Sequence, residues 1–247
     1  MKRSIVYMAV FIFSSILISG CGFDRFMPKP SDPSNPIKRI AILPIQNDTT
    51  DIEGPDYVRN KLVDAFQDRQ YNVKPVADVD RLLRDKMGAT LGGQLTSVKP
   101  KILKDILDVE GVVFGTLMDF DETTTGVYNV RKVRGKFKLV NCLNGETFWE
   151  NGIGIKSQDS TGGIAGKATT FAAEIKDSED KDVPWEILKD ETLGYGIAEN
   201  FARSLGKKLF SKVTDSHLEK ETGEMVKRIT GNLPYGPGTS AASAKKD

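Results

Sequence analysis

Gly135-Lys136-Phe137-Lys138-Leu139-Val140-Asn141-Cys142-Leu143-Asn144-Gly145-Glu146-Thr147-Phe148-Trp149-Glu150-Asn151-Gly152-Ile153-Gly154-Ile155 is the stretch that decides the fold. Its alternation on either side of Asn144-Gly145 reads as an antiparallel hairpin. A two-residue Asn-Gly turn would pair Leu139 with Glu150 and Lys138 with Asn151, which mixes the faces. Taking Leu143-Asn144-Gly145 as a three-residue loop, with Gly145 left-handed in a bulge, pairs Leu139 with Trp149, Val133 with Ile155 and Lys138 with Glu150. Each face is then consistent, and this is the register the sequence predicts.

Working back from the hairpin, a strand is predicted over 127–133, and Met118 and Phe120 alternate against Asp119 and Asp121. Val112-Val113-Phe114-Gly115-Thr116-Leu117 and Ile40-Ala41-Ile42-Leu43 are near-continuous apolar runs, as in strands buried on both faces. Between them the period is helical. Val58, Leu62, Ala65 and Phe66 form one stripe after Pro55; Val79, Leu82, Leu83 and Met87 form a second, capped by Asp78 and stopped by Gly88; Leu103, Ile106 and Leu107 form a third after Pro100. A short strand, Tyr71-Asn72-Val73-Lys74-Pro75-Val76, separates the first two helices, and Gly92 and Gly93 read as loop. The fold class is therefore mixed α/β (α+β), with a β-α-β-α-α-β start, an antiparallel hairpin, and a long C-terminal helix on the sheet. Leu193, Ile197, Phe201, Leu205 and Leu209 mark that helix.

Residues 1–20 read as a signal peptide, with Lys2 and Arg3 ahead of an apolar run too short to span a bilayer. The sequence Leu17-Ile18-Ser19-Gly20-Cys21 resembles the bacterial lipobox. That resemblance implies a diacylglyceryl group on Cys21, cleavage before it, and a mature lipoprotein with three acyl chains, palmitate among them. Gly22, in place of an aspartate, points to the outer membrane. Residues 21–36, with Pro28, Pro30, Pro33 and Pro36, read as a tether of about 50 Å at most. Residues 37–213 form a single domain in which 157–190 is a loop-rich insertion, with a possible helix over 165–176. Residues 214–247 read as a mobile tail, although Leu218, Met225 and Ile229 have the spacing of a short helix.

Composition excludes more than it assigns. Of 247 residues, the formal charge of +1 becomes about −1 once Lys2 and Arg3 are removed, giving no electrostatic case for nucleic acid. With Cys21 lipidated, Cys142 has no disulfide partner and reads as a small buried hydrophobe. His217, the one histidine, lies in a charged, solvated stretch. Ser160-Thr161-Gly162-Gly163-Ile164-Ala165-Gly166-Lys167 lacks the first glycine and the final hydroxyl of a phosphate loop. Asp119, Asp121 and Glu122 lack calcium-loop spacing. No triad is visible. The prediction is a protein with no catalytic, cofactor or metal site and no small-molecule substrate, whose one site residue is Cys21 and whose partners are the membrane and a protein or its own copies.

Ile40-Ala41-Ile42-Leu43-Pro44 followed by Asn47 and Thr49, with Leu143-Asn144-Gly145-Glu146-Thr147-Phe148-Trp149, resembles the domain shared by the TolB N-terminal region, CsgG and LpoB. Within that group the chain is most similar to bacterial lipoproteins of unassigned biochemical role, often encoded beside CsgG-like proteins. The likeness to CsgG implies a periplasmic accessory subunit of an outer-membrane secretion or assembly complex. The likeness to LpoB implies a regulator that docks on a peptidoglycan synthase. Neither motif carries a catalytic residue.

Overall fold

A computed structural model describes residues 30–124, 128–160, 183–188 and 218–238. The elements are β1 (Arg39–Ile42), β2 (Gln46–Asn47), α1 (Gly54–Asp68), β3 (Asn72–Val73), α2 (Val76–Met87), α3 (Gly92–Leu95), α4 (Pro100–Leu107), β4 (Gly111–Thr124), β5 (Tyr128–Asn141), β6 (Thr147–Ser160), β7 (Trp185–Ile187) and α5 (Glu219–Ile229). One mixed seven-stranded sheet has the order β3-β1-β4-β5-β6-β7, with β2 paired to β4 beyond β1. Strands β1, β3 and β4 run parallel, joined through helices as parallel strands must be. β5 is antiparallel to β4 and β6, and β7 returns parallel to β6. This is the mixed α/β class expected.

Alternation along β1 fills two cores. Ile40 and Ile42 face a layer made by α1 and α5, together with Val113, Phe137, Leu139, Trp149 and Ile155. Ala41 and Leu43 face α2, α3 and α4, together with Val112, Val140 and Cys142. Phe66 of α1 meets Trp149 edge-on at 5.8 Å between ring centres, the geometry that aromatic quadrupoles favour.

The hairpin register is as expected: Leu139 pairs with Trp149, Val133 with Ile155 and Lys138 with Glu150. The turn reaches it by another route. Asn141 N–H donates to Glu146 O at 2.9 Å and Gly145 N–H to Asn141 O at 2.8 Å, so residues 142–145 form a four-residue loop. A register shift follows between Leu139 and Val140, where β6 carries Phe148 as an extra residue. Gly145 is left-handed, at φ +76°.

Other boundaries differ from the sequence reading. Residues 111–124 form one strand, with a register shift between Leu117 and Asp119, and 128–141 form another that absorbs both predicted pieces. Helix α2 starts at Val76 after Pro75, so Asp78 lies in its first turn and is not its cap. Gly92 and Gly93 open a short helix rather than a loop. Residues 157–160, expected as loop, continue β6, and Trp185–Ile187 pairs with it. The helices predicted over 165–176 and 191–209 lie outside the described residues.

The largest correction concerns residues 218–238, read as tail. Helix α5 packs on β5, β6 and α1, with Leu218, Met225, Val226, Ile229 and Leu233 buried. Arg228 pairs with Glu224 one turn back and with Glu186 of β7. Burial of this stripe is what holds an otherwise polar segment, since helix propensity alone does not stabilise eleven residues. Ile229→Ala is expected to cost about 2–5 kcal/mol of stability, read as a lower urea midpoint with an unchanged m-value. A mobile tail would show no shift.

Candidate functional site

The segment that enters β1 and the segment that follows α5 meet at the base of the domain. Asn35, 4% exposed, donates from Nδ2 to Tyr71 Oη at 3.0 Å and to Tyr235 O at 2.9 Å, and accepts the Ile37 amide on Oδ1. Tyr71 Oη donates onward to Pro234 O at 3.0 Å. Asp32 N–H donates to Gly236 O at 2.8 Å, and Gly236 N–H to Arg69 O at 2.7 Å. Arg69 donates to Leu233 O and Gly231 O, and its guanidinium stacks 4.8 Å from the centre of the Tyr235 ring. A Cβ on Gly236 would stand 2.5 Å from Gln70 O, so only glycine fits this crossing. The clasp pins the described part of the expected tether, residues 30–36, to the fold. Asn35 supplies the reason: its amide satisfies partners on three chain segments inside a site from which water is excluded.

Burial also sets the protonation behaviour here. It pushes the Tyr71 phenol up to about 12, an effect that the Asn35 hydrogen bond partly offsets. Cys142 is buried as predicted, with its amide donating to Glu110 O at 2.8 Å, and burial pushes its thiol up to about 11. A thiol in that setting is a packing group, not a nucleophile.

The acidic residues singled out in the sequence are engaged across the strand. Asp119 pairs with Arg134 Nε at 2.5 Å, Glu122 pairs with Arg131 Nε at 3.0 Å, and Asp121 Oδ2 accepts the Thr123 hydroxyl at 3.3 Å. Asp119 and Glu122 lie three residues apart on a strand and so serve opposite faces. Arg134 continues the row, with its guanidinium 5.0 Å from the centre of the Trp185 ring, which covers Gly154. Among the described residues, no three His, Cys, Asp or Glu side chains group to hold a metal ion. Cys21, His217 and residues 161–167 of the glycine-rich stretch lie outside the described residues.

Arg59 is a structural residue that the sequence reading missed. It is 1% exposed, donates from Nε and Nη2 to Ile42 O at 3.0 and 2.8 Å, and holds Asp80 from Nη1 at 2.8 Å. One guanidinium thus ties the end of β1 to α1 and α2, a fork geometry that lysine cannot supply. The signal was present in the spacing, because Arg59, Leu62 and Phe66 share one helical face. Within the other layer, Ser157 Oγ donates to the buried Glu221, and Asn232 Oδ1 accepts the Trp149 indole N–H at 2.9 Å.

A family model described as "Putative lipoprotein GNA1162-like" matches residues 30–182. The chain belongs to this family. Its matched span ends before β7 and α5, so the C-terminal half of the clasp lies beyond it. A curated relative, "Putative lipoprotein NMB1124/NMB1162" of Neisseria meningitidis serogroup B, is 25% identical over 146 residues. The alignment covers 58% of this chain and 66% of the relative. Among solved structures, the lipoprotein GNA1162 of Neisseria meningitidis aligns at 19% identity and a TM-score of 0.45, over 56% of this chain and 95% of that one. The PelC dodecamer of Paraburkholderia phytofirmans aligns at 15% and 0.33, over 57% and 85%. The LpoB C-terminal domain of Salmonella enterica aligns at 14% and 0.31, over 49% and 84%. No described helix is long and apolar enough to cross a membrane.

The buried Cys142 thiol and Tyr71 phenol make stability fall at alkaline pH. Each has a folded pKa above its ordinary value, 9.0 for Cys142 and 10.0 for Tyr71. Their contribution is therefore fully present below those values and is lost as pH rises, between 9 and about 11 for the thiol and between 10 and about 12 for the phenol. In urea midpoints measured against pH, Cys142→Ala should delay the onset of the decline from near 9 to near 10. An unchanged onset would show that the thiol does not contribute.

Proposed function

We propose that this lipoprotein is anchored through acyl chains on Cys21 in the outer membrane, with its domain facing the periplasm, as a non-enzymatic accessory subunit of an envelope secretion or assembly complex related to CsgG. The observation that carries the reading is the clasp. It ties Asp32 and Asn35 to the fold, so ten residues, 22–31, separate the lipid-bearing cysteine from the first clasped residue. Eleven steps reach about 36–40 Å at most, less than the sixteen-residue tether read from sequence. A domain held that close to its membrane suits a subunit of a membrane-seated assembly. A regulator of a peptidoglycan synthase would have to cross the wall layer, for which the same length is short.

Membership of a lipoprotein family supports the anchor, and the CsgG relation rests on the sequence resemblance. Several of the buried or half-buried charged groups are paired internally: Arg59 with Asp80, Asp119 with Arg134, Glu122 with Arg131 and Glu221 with Ser157. That arrangement supports a binding role over a catalytic one.

Cys21→Ser should move the folded domain from the membrane fraction to the soluble fraction. Retention of that variant after high-salt and carbonate washes would remove lipidation as the anchor. Crosslinking of the lipidated chain in its native envelope, followed by mass spectrometry, is expected to recover an outer-membrane secretion component. Recovery of a peptidoglycan synthase instead, with stimulation of its activity by the soluble domain, would establish the regulator reading, and a lone uncrosslinked monomer would end the assembly reading.

A further inference from the structure

We propose that the end of the sheet carrying the β5–β6 turn is the face this protein lays against its own lipid bilayer, with Leu143 entering the headgroup layer. The proposal rests on the Cys21 anchor put forward above, and adds to it an orientation and a lipid-contacting residue.

The first argument is where the chain leaves the fold. Ile40 pairs with Gly111, and Gly111 pairs with Asn141, the last residue before the turn. Glu110 N–H donates to Arg39 O at 3.0 Å, and Cys142 N–H donates to Glu110 O at 2.8 Å, so the entry to β1 and the turn are two hydrogen bonds apart. The anchor-side segment, fixed by the clasp, therefore enters at the turn end. The 14-residue strands β4, β5 and β6 extend about 45 Å from there. With about 36–40 Å of chain at most between Cys21 and Asp32, the turn end is within reach of the bilayer in every orientation of the domain, and the Thr124 end only in some.

The second argument is what that end presents. Leu143 is 64% exposed, and Phe148, put outward by the bulge in β6, is 36% exposed. The turn holds Leu143 in place with hydrogen bonds of its own. Leu143 N–H donates to Asn141 Oδ1 at 2.9 Å, Glu146 N–H donates to Asn144 Oδ1 at 3.0 Å, and Asn144 Nδ2 donates to Glu146 Oε2 at 2.6 Å. The amides already satisfied inside the turn lose less on leaving water, and the exposed Glu146 carboxylate stays at the hydrated level of the headgroups, so the loop can enter that layer with one apolar side chain leading. The acyl chains supply the affinity, and the turn supplies the orientation.

The test uses the full lipidated chain in phosphatidylethanolamine–phosphatidylglycerol vesicles, with a nitroxide at Leu143→Cys or, at the far end, Thr123→Cys. Cys142 is buried and Cys21 carries lipid, so labelling is specific. Power saturation with oxygen and with a water-soluble nickel chelate should give an oxygen-to-nickel ratio several-fold higher at position 143 than at 123. Equal, water-like ratios at both positions overturn the orientation. Protection of position 143 from both reagents also overturns it, and assigns the turn to a protein contact or a second copy. If the chain with Cys21 intact does not float with the vesicles, the anchor reading fails and the proposal with it, whereas flotation with a water-like probe at 143 leaves the anchor standing.

Discussion

Leu139 has none of its side chain exposed and sits in the middle of one cross-strand row, opposite Val113 on β4 and Trp149 on β6. The rest of the structure depends on that row. Side chains in a strand alternate with period two, so a slip of one residue on either side would send Trp149 or Val113 to the other face. Trp149 would then lose Phe66 of α1 and Asn232 beyond α5, and both helices of that layer would lose their seat. The sheet register and the helix packing are therefore a single constraint. The Phe148 bulge exists to satisfy it, because a four-residue turn closed by Asn141 and Glu146 leads into the required pairing only if β6 accommodates one extra residue.

That row was legible in the sequence because pattern and constraint coincide: registers one residue to either side put Leu139 and Trp149 on opposite faces, and the short loop around Asn144-Gly145 limits the rest. The location of the extra residue was not, because a three-residue loop with its bulge at Gly145 and a four-residue loop with its bulge at Phe148 produce the same pairing from Trp149 onward. The double burial of β1 was legible for the same reason, as Ile40 and Ala41 are both apolar and both 0% exposed. Helix α5 was obscured by its own buried polar residues. Its inward stripe runs 218, 221, 222, 225, 226, 229, and two of those positions are Glu221 and Thr222, at 1% and 0% exposure. A stripe interrupted by a carboxylate and a hydroxyl reads as surface, and the partner that helps make the burial of Glu221 tolerable, the Ser157 hydroxyl on β6, is distant in sequence. Arg59 escaped notice by the same logic, since its acceptors, Ile42 O and Asp80, are recognisable only once β1 and α2 are in place.

On one face of β5, Lys132, Arg134 and Lys138 each stand opposite an acid, Asp121, Asp119 and Glu150. Lys136 of the same face lies between Thr116 and Gly152, and Lys132 also faces Lys156 on β6, so the acids offset only part of the positive strip. The same face receives Trp185 over Gly154, stacked on the Arg134 guanidinium.

The segment ahead of β1 is the clearest case of composition pointing two ways. Pro30, Pro33 and Pro36 signal a chain that forms neither helix nor ladder, which is correct, and the inference from that to a free tether was not. Fixing a residue's backbone costs about 1–2 kcal/mol, and the three hydrogen bonds that tie residues 32 and 35 to Tyr71, Tyr235 and Gly236 return only about 1 kcal/mol each. Two things shift that balance. Proline has already surrendered its φ freedom in the unfolded chain, so ordering it costs less. Ile37, fully buried against Gly111 and the first core, adds the hydrophobic term at the end of the segment. Proline-rich sequence is thus compatible with a bound strap whenever its end is nailed by an apolar residue and its acceptors lie on a returning chain. Here that chain is the segment from Leu233 to Gly236, and α5 carries it back to the base of the sheet. The packing of Met225, Val226 and Ile229 therefore sets not only the stability of the domain but whether residues 32–37 stay bound to it.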